Sequence, residues 1–500
     1  MPRLFIFAIG GTGSRVLKSL TMLMASGVKP NSLQDFEIVP IIIDPHISNE
    51  DLKRTERLLG NYQSIVEKVG LDNGFFSSKI TTLDNLVDSE NRVSGSFTFN
   101  LQQVANTRFR DYINFNELDD SNKALADILF SGKSINKRQE EVDLLDIEMD
   151  IGFVGNPNIG SVVLNQFKDS EEFKEFANNF NNEDRIFIIS SIFGGTGAAG
   201  FPTILKNIRD AMNNKNISGR GFLRDAKIGA LTVLPYFNIE NDDKSPIQKS
   251  DFISKTKAAL YYYKENLTGN NSINALYYIA DNYIGKPYKN DPGDNGQKND
   301  AHFIELVSAL AVIDFLEIPD VDLISLDGKA TRPIYKEFSI KNESSEIKFS
   351  DFEDYTSRKV ELRLSQTVLF LKFLNEHLVE SIAKQPWSIN DPKINKIFVD
   401  DIFYRTNLKE FMNSFGDWLK EMSNNTRGFS PFNLDSSLQT LIKDRTPTSG
   451  WFSKVDYVGF DKMLNIKSKG KMYISSQQKM IKLFFDSTEE ILTSKFGLKN

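Results

Sequence analysis

Ser190-Ser191-Ile192-Phe193-Gly194-Gly195-Thr196-Gly197-Ala198-Ala199-Gly200 is the stretch whose reading decides the fold. It follows the isoleucine-rich run Arg185 to Ser190, which reads as a buried strand. It leads into a segment with Phe201, Ile204, Leu205, Ile208 and Met212 on one helical face. Pro202 fits the first turn of that helix, where its missing N–H costs nothing. Strand, glycine turn and helix in this order can hold an anion. Glycine lets the backbone approach closely and turn at φ > 0, and the helix N-terminus adds a favourable dipole.

The same arrangement opens the chain. Leu4-Phe5-Ile6-Phe7 is a continuous apolar run, Gly10-Gly11-Thr12-Gly13 follows, and Val16, Leu17, Leu20 and Met24 recur at helical spacing. Taken alone this second loop is a tight turn or a dinucleotide fingerprint. The fingerprint fits poorly, because Val16 stands at its third glycine position. Two such loops suggest an extended polyphosphate gripped from two sides. A Walker-type loop is absent: Gly132-Lys133-Ser134 looks similar, but Asp127 stands where the first glycine should be.

Working outward, Glu37 to Ile43 reads as a second buried strand ending at Asp44. Strand Ile228 to Val233, a helix over roughly 250–266 and strand Ala275 to Ile279 continue the alternation. A turn-rich loop at 284–298 precedes a long helix with the stripe Phe303, Leu306, Val307, Leu310 and Ile313. Strands separated by helices predict an α/β, Rossmann-like parallel sheet covered on both faces. The polar stretch at about 50–150 reads as a largely helical insertion. Beyond about 330, Lys359 to Ile382 is a strong helical pattern and Val455 to Phe460 a strand-like run. The expected division is a nucleotide-binding domain at 1–318, with its central helix at about 299–318, and a C-terminal α+β domain at 319–500.

Composition narrows the chemistry. The 500 residues are 40% hydrophobic and 25% charged, enough for a large core and against a disordered chain. Sixty basic and 67 acidic residues give a net charge of −7, which argues against direct nucleic-acid binding by charge alone. There is no cysteine, so disulfides, thiolate zinc sites and cysteine nucleophiles are excluded. The three histidines, His46, His302 and His377, are far apart in sequence and support no multi-histidine site. No segment approaches the roughly 20 apolar residues that span a bilayer, and the expected location is cytoplasmic. Residues 461–500 hold eight Lys against four acids, 8 − 4 = +4. Such a run is a solvated face, or at most a peripheral contact with a membrane or acidic partner.

With these loops in place, the sequence resembles the tubulin/FtsZ superfamily. The family's signature loop, Gly-Gly-Gly-Thr-Gly-Ser/Thr-Gly after its fourth strand, is similar to Phe193-Gly194-Gly195-Thr196-Gly197-Ala198-Ala199-Gly200, with Phe193 replacing the first glycine. Its first loop matches Gly10, Gly11, Thr12, Gly13 and Ser14, and its second matches Asp44. The third resembles Val154-Gly155-Asn156-Pro157-Asn158-Ile159-Gly160. The fifth matches Val233-Leu234-Pro235-Tyr236, and the Asp-Asn after strand six, whose Asn touches the base, matches Asp281-Asn282. The first turn of the central helix lines the family's base pocket, which makes Asp300, His302 and Phe303 candidates. The family's Asn-x-Asp, whose Asp activates water on the neighbouring subunit's nucleotide, reads here Asp320-Val321-Asp322.

The resemblance implies a GTPase that binds GTP and GDP with Mg²⁺, held mainly through phosphates, and that assembles head to tail with itself. Asp322 matches the catalytic acid and Asp320 replaces the family's Asn. Asp44 either contacts ribose or metal, or simply caps the turn after its strand. Two other functions stay open: a non-hydrolysing switch acting on partners through the insertion and C-terminal domain, and a dinucleotide-dependent oxidoreductase, against which the second glycine loop argues.

Overall fold

A computed structural model describes residues 1–32, 34–46, 49–86, 96–135, 140–149, 152–215, 217, 219–236, 249–281, 299–338, 344–448 and 455–499. Seven strands form one parallel sheet: β1 (Arg3–Ile9), β2 (Glu37–Ile43), β3 (Thr98–Phe99), β4 (Arg185–Ser191), β5 (Lys227–Val233), β6 (Ala275–Ile279) and β7 (Ile334–Phe338). Their order across the sheet is β7-β6-β5-β4-β1-β2-β3. The central strands are apolar and buried on both faces, as parallel strands under two helical layers must be. Chain order runs outward from β1 on one side and outward from β4 on the other. The two strands that carry the glycine loops are therefore neighbours at the switch point, where open α/β sheets leave a crevice at their carboxyl ends.

Ile6 pairs with Phe187 and Phe7 with Ile188, so successive positions face opposite layers. On one face Phe187 meets Phe315 of α6 (Phe303–Glu317) at 5.3 Å between ring centroids. On the other, Phe7 meets Phe167 and Phe176 at 5.7 and 5.2 Å. Helix α1 (Gly10–Ala25) packs with both α2 (Glu50–Val69) and α6; α3 (Pro157–Leu164) packs with α4 (Gly195–Arg209). Helix α5 (Lys249–Tyr263) follows β5.

Among the described residues, the 50–150 stretch is only in part the helical insertion that its polarity predicts. Its first part, α2, belongs to the core layer: Asn49 Oδ1 accepts from Asp51 N at 2.8 Å, and Gly70 at φ 78° ends the helix. The chain then returns to the sheet as β3 beside β2. Only Phe109–Tyr112 and Asp120–Leu129 are further α-helix among the described residues to 149, and Lys133–Ile135 pairs with Glu141–Asp143 as a hairpin. Gly132-Lys133-Ser134 thus enters a hairpin, not a strand-to-helix phosphate loop.

The sheet takes β7 from beyond the boundary expected at 318. The rest of the chain is dominated by α7 (Asp354–Glu376), α8 (Lys409–Asn424), α9 (Tyr457–Ser468) and α10 (Ser476–Phe496); among the described residues it adds two two-residue strand pairs, Ser325–Leu326 with Lys329–Ala330 and Glu346–Ile347 with Gly428–Phe429. The run Val455 to Phe460 enters α9, contrary to the strand reading. Asp456 accepts from Gly459 N at 2.8 Å and starts the helix, which the β-branched and aromatic residues alone do not reveal. Helix α8 lies on α1 and α2: Trp418 Nε1 donates to Ser19 Oγ at 3.1 Å, and Phe411 meets Tyr62 at 6.2 Å. The apolar core is continuous through both parts. Among the described residues no helix is long and apolar enough to cross a membrane.

Candidate functional site

The two glycine loops meet at the carboxyl ends of β1 and β4. Helix α1 begins at Gly10 after the N-cap Ile9, and α4 begins at Gly195 after the N-cap Gly194. Neither cap supplies a side-chain acceptor, and neither first turn carries an acid, so both helix starts keep their positive character for an anion. Gly10 sits at φ 69°, and a Cβ there would lie 3.4 Å from Thr196 Cβ. A Cβ on Gly195 would stand 2.5 Å from Gly152 O and 2.9 Å from Asn156 N. The segment Gly155-Asn156-Pro157 to Gly160 is thereby pressed against α4, with Pro157 opening α3 and Asn156 Nδ2 bonded to Phe153 O at 3.2 Å. Lys255 Nζ donates to Gly155 O at 2.9 Å.

Three of the predicted loops therefore converge. Gly13 and Gly197 serve close packing, since a Cβ would come 2.5 Å from Ala8 C and 2.6 Å from Ser191 O. Among the described residues, a Cβ on Gly11 would have only Arg15 Nη1 within 4 Å, at 3.8 Å. Thr12 and Thr196 are buried. Ser14 is fully buried and its Oγ has no hydrogen-bond partner among the described residues, an orphaned hydroxyl just past the first turn of α1. Phe193, in place of the family's first glycine, packs 6.2 Å from Tyr236. Two uncapped helix starts, glycine approaches and a spare hydroxyl suit a polyphosphate.

Asp44 is buried, and its Oδ1 accepts from His46 N at 3.0 Å, the geometry of a turn cap. Burial pushes its carboxyl up to about 7, against the His46 hydrogen bond and the Arg15 charge.

Beyond β5 the predicted base side forms a buried polar knot that the motifs do not reveal. Arg15 Nε donates to Glu305 Oε1 at 2.7 Å and its Nη2 donates to Tyr236 Oη at 2.7 Å. Burial works against the Arg15 charge, but Tyr236, Glu305 and Asp51 outweigh it and hold the guanidinium above its ordinary value. Burial pushes Glu305 up while Arg15 opposes the shift. His302 is the N-cap of α6: its Nδ1 accepts from Ile304 N at 3.2 Å, and Glu305 Oε2 accepts from His302 N at 3.3 Å. Burial, then the Arg15 and Arg427 charges, push His302 down to about 3, so the ring is neutral. It lies between Tyr236, at 4.9 Å, and Phe303, at 5.2 Å, and Phe303 itself is buried. Pro235 is half-buried just after β5. Asn282 lies outside the described residues. Asp281 pairs with Arg427 at 2.8 Å. One signal does mark Glu305 in the sequence: it is a lone acid on an otherwise uncharged, largely apolar helical face, whereas Arg15 shares its face with Lys18 and gives no such signal.

Asp320 and Asp322 lie at the opposite end of the sheet. Asp320 pairs with Arg185 and Lys227, the first residues of β4 and β5, at 2.8 Å each. Asp322 is half-exposed, and no hydrogen bond or ion pair engages its carboxylate among the described residues. Helix α6 runs from the loop end, at His302, to this end, where Arg185 Nη1 donates to Phe315 O at 2.7 Å. Its 15 residues span about 22 Å. The acid pair and the loops of one chain therefore do not meet.

Sheet order and paired loops define a doubly wound α/β protein whose two glycine loops meet at its switch point. No protein-family model matches the chain, and no curated protein matches it. Among solved structures, the chain is similar to members of the tubulin/FtsZ family. One is CetZ from Methanosaeta thermophila, 13% identical with a TM-score of 0.31, over 65% of this chain and 57% of that one. Another is CetZ2 from Haloferax volcanii in a GTPγS-bound protofilament, 10% identical with a TM-score of 0.28, over 63% and 58%. A third is TubZ from Bacillus thuringiensis serovar israelensis in a GTPγS-form protofilament, 12% identical with a TM-score of 0.25, over 83% and 79%. The chain spans less than two thirds of the two CetZ chains. At these TM-scores the likeness adds no weight to any site residue; the loops carry that.

Proposed function

We propose that this protein is a tubulin/FtsZ-like GTP-binding protein that associates head to tail and turns over GTP across the junction. One observation carries the reading: two adjacent, uncapped helix starts meet at one end of the sheet, and a free carboxylate, Asp322, stands at the other. The free amides of Gly10 to Thr12 and Gly194 to Gly197 would hold the phosphates, with Ser14 Oγ as a further donor. Bound Mg²⁺ would neutralise charge on the phosphates. Asp322 would orient and deprotonate water only for the nucleotide of the next subunit. Such a heterologous contact repeats into a filament.

A second reading has its own support. Asp320 is locked by Arg185 and Lys227, so one carboxylate of the pair is committed to structure. A chain that binds GTP tightly and hydrolyses it slowly, acting as a switch, fits that commitment. Mass spectrometry of the copurifying nucleotide, with sedimentation in GTP and in GDP, separates the cases. Guanine nucleotide and GTP-dependent pelleting support the proposal. Guanine nucleotide without pelleting or phosphate release favours the switch, and a nicotinamide or flavin cofactor ends both.

A further inference from the structure

Glu421, at the end of α8, ties together three segments that each lie just beyond a loop of the candidate site. Its Oε2 accepts from Lys18 Nζ at 3.2 Å and from Ala301 N at 3.0 Å, and its Oε1 pairs with Arg54 Nη2. Lys18 stands two turns into α1, past Gly10 to Ser14. Arg54 stands near the start of α2, past Asp44. Ala301 immediately precedes His302, the cap of α6. The neighbouring turn adds two ties: Asn425 Nδ2 donates to Ala301 O at 2.7 Å, and Arg427 Nη1 pairs with Asp281, two residues past β6, at 2.8 Å. Asp51 closes the ring, accepting from Asn299 Nδ2 at 3.0 Å and facing Arg15 at 3.6 Å and Arg54 at 3.8 Å.

The Lys18 and Glu421 side chains are only 8% and 13% exposed, so their bond lies largely out of water. Burial would raise Glu421, but Lys18 and Arg54 outweigh it and hold the carboxylate below its ordinary range. Burial, opposed by Glu421 and reinforced by the like charge of Arg54, lowers Lys18. Without the carboxylate, two half-desolvated cations on α1 and α2 would face each other and repel.

We propose that Glu421 is a positioning residue for the nucleotide site, contributed by the C-terminal helical part. It fixes the spacing of α1, α2 and the start of α6, and so sets nucleotide affinity without touching the nucleotide. Binding sites lose affinity when their loops drift by fractions of an ångström, and one carboxylate shared by three segments limits that drift. The inference rests on the nucleotide-binding reading above.

The test uses the full chain and a fluorescent GTP analogue, with turnover measured at saturating GTP. Glu421→Gln should raise the Kd about ten-fold or more, the equivalent of one charge-assisted bond, while turnover at saturation changes less than about two-fold. Glu421→Asp keeps the charge and should recover part of the affinity. Lys420→Ala, on the exposed side of the same turn, should bind as wild type. Unchanged affinity in Glu421→Gln overturns the inference, as does an equal loss in Gln and Asp that tracks a fallen melting temperature. If Glu421→Gln does not fold, Asn425→Ala decides: a Kd raised about three-fold supports the inference, and an unchanged Kd overturns it. Wild type that binds no guanine nucleotide sinks the underlying reading as well; wild type that binds beside an unaffected Glu421→Gln sinks this inference alone.

Discussion

Gly195 and Gly11 sit in loops of similar composition yet should answer to alanine in opposite ways. A Cβ on Gly195 would stand 2.5 Å from a backbone carbonyl oxygen, which no side-chain motion relieves. Gly195→Ala should lower stability by about 2 kcal/mol or more and abolish analogue binding, whereas Gly11→Ala, near only a flexible guanidinium, should melt within a few degrees of wild type. Thermal melts and titration check both. Asp44 gives a pH prediction. Its carboxyl is raised to about 7 in the folded chain from 3.8, so between about pH 4 and 7 the folded state holds a proton that the unfolded state has lost. Stability from this group is therefore present at the acid end and falls as pH rises, by on the order of 2 kcal/mol between pH 5 and 8. Asp44→Asn keeps an acceptor for His46 N and cannot ionise, so it should remove that fall. Urea unfolding at the two pH values reads the difference, and equal slopes in wild type and variant would contradict the assignment.

At the scale of elements, the start of α6 combines a cap with a buried ion pair, and the two can be separated. His302→Ala removes the acceptor for Ile304 N together with the ring packed between Tyr236 and Phe303, and should cost about 1–2 kcal/mol. Glu305→Ala removes the reciprocal cap and leaves the Arg15 guanidinium buried without its nearest carboxylate, which should cost about 3–5 kcal/mol. Denaturant unfolding of both variants tests the ranking; equal losses would show that the ion pair adds nothing to the cap. The elements themselves were legible in proportion to how local their causes are. β1, β4, β5 and β6 are short apolar runs beside glycine or turn signals, and the glycine loops declare their geometry because close approach demands glycine. β3 is two residues recruited by the edge of β2, and no periodicity marks it. The α9 start was obscured because its cap, Asp456, lies inside a strand-like apolar run. The knot of Arg15, Tyr236 and Glu305 joins residues up to 290 apart in sequence, so only Glu305 stands out in the sequence, as a lone acid on its helical face, while the pairing is a product of the tertiary fold.

For the whole molecule, the two ends of the sheet must be brought together by a second copy. Asp320 and Asp322 are two residues apart, but the fold gives them different work. Asp320 neutralises Arg185 and Lys227 at the feet of β4 and β5, and Arg185 also holds the last carbonyls of α6 through Phe315 O and Ile318 O. Asp320→Ala should thus loosen the sheet end within each subunit and lower the melting temperature. Because Asp320 is about half exposed, the loss should be about 1 kcal/mol or less. Asp322 has no such duty, so Asp322→Ala should melt as wild type. If its carboxylate acts on the next subunit's nucleotide, this variant should bind GTP and pellet normally while turnover falls about 100-fold or more. Mixing makes the geometry decisive. Asp322→Ala carries intact glycine loops, and Gly195→Ala carries an intact Asp322. In a mixed filament the nucleotide on Asp322→Ala would meet Asp322 of a Gly195→Ala neighbour, restoring part of the turnover if Gly195→Ala still docks. Phosphate release should then exceed that of either variant alone and vanish on dilution below the pelleting threshold. Full turnover by Asp322→Ala alone, at any concentration, would place the water-activating group elsewhere.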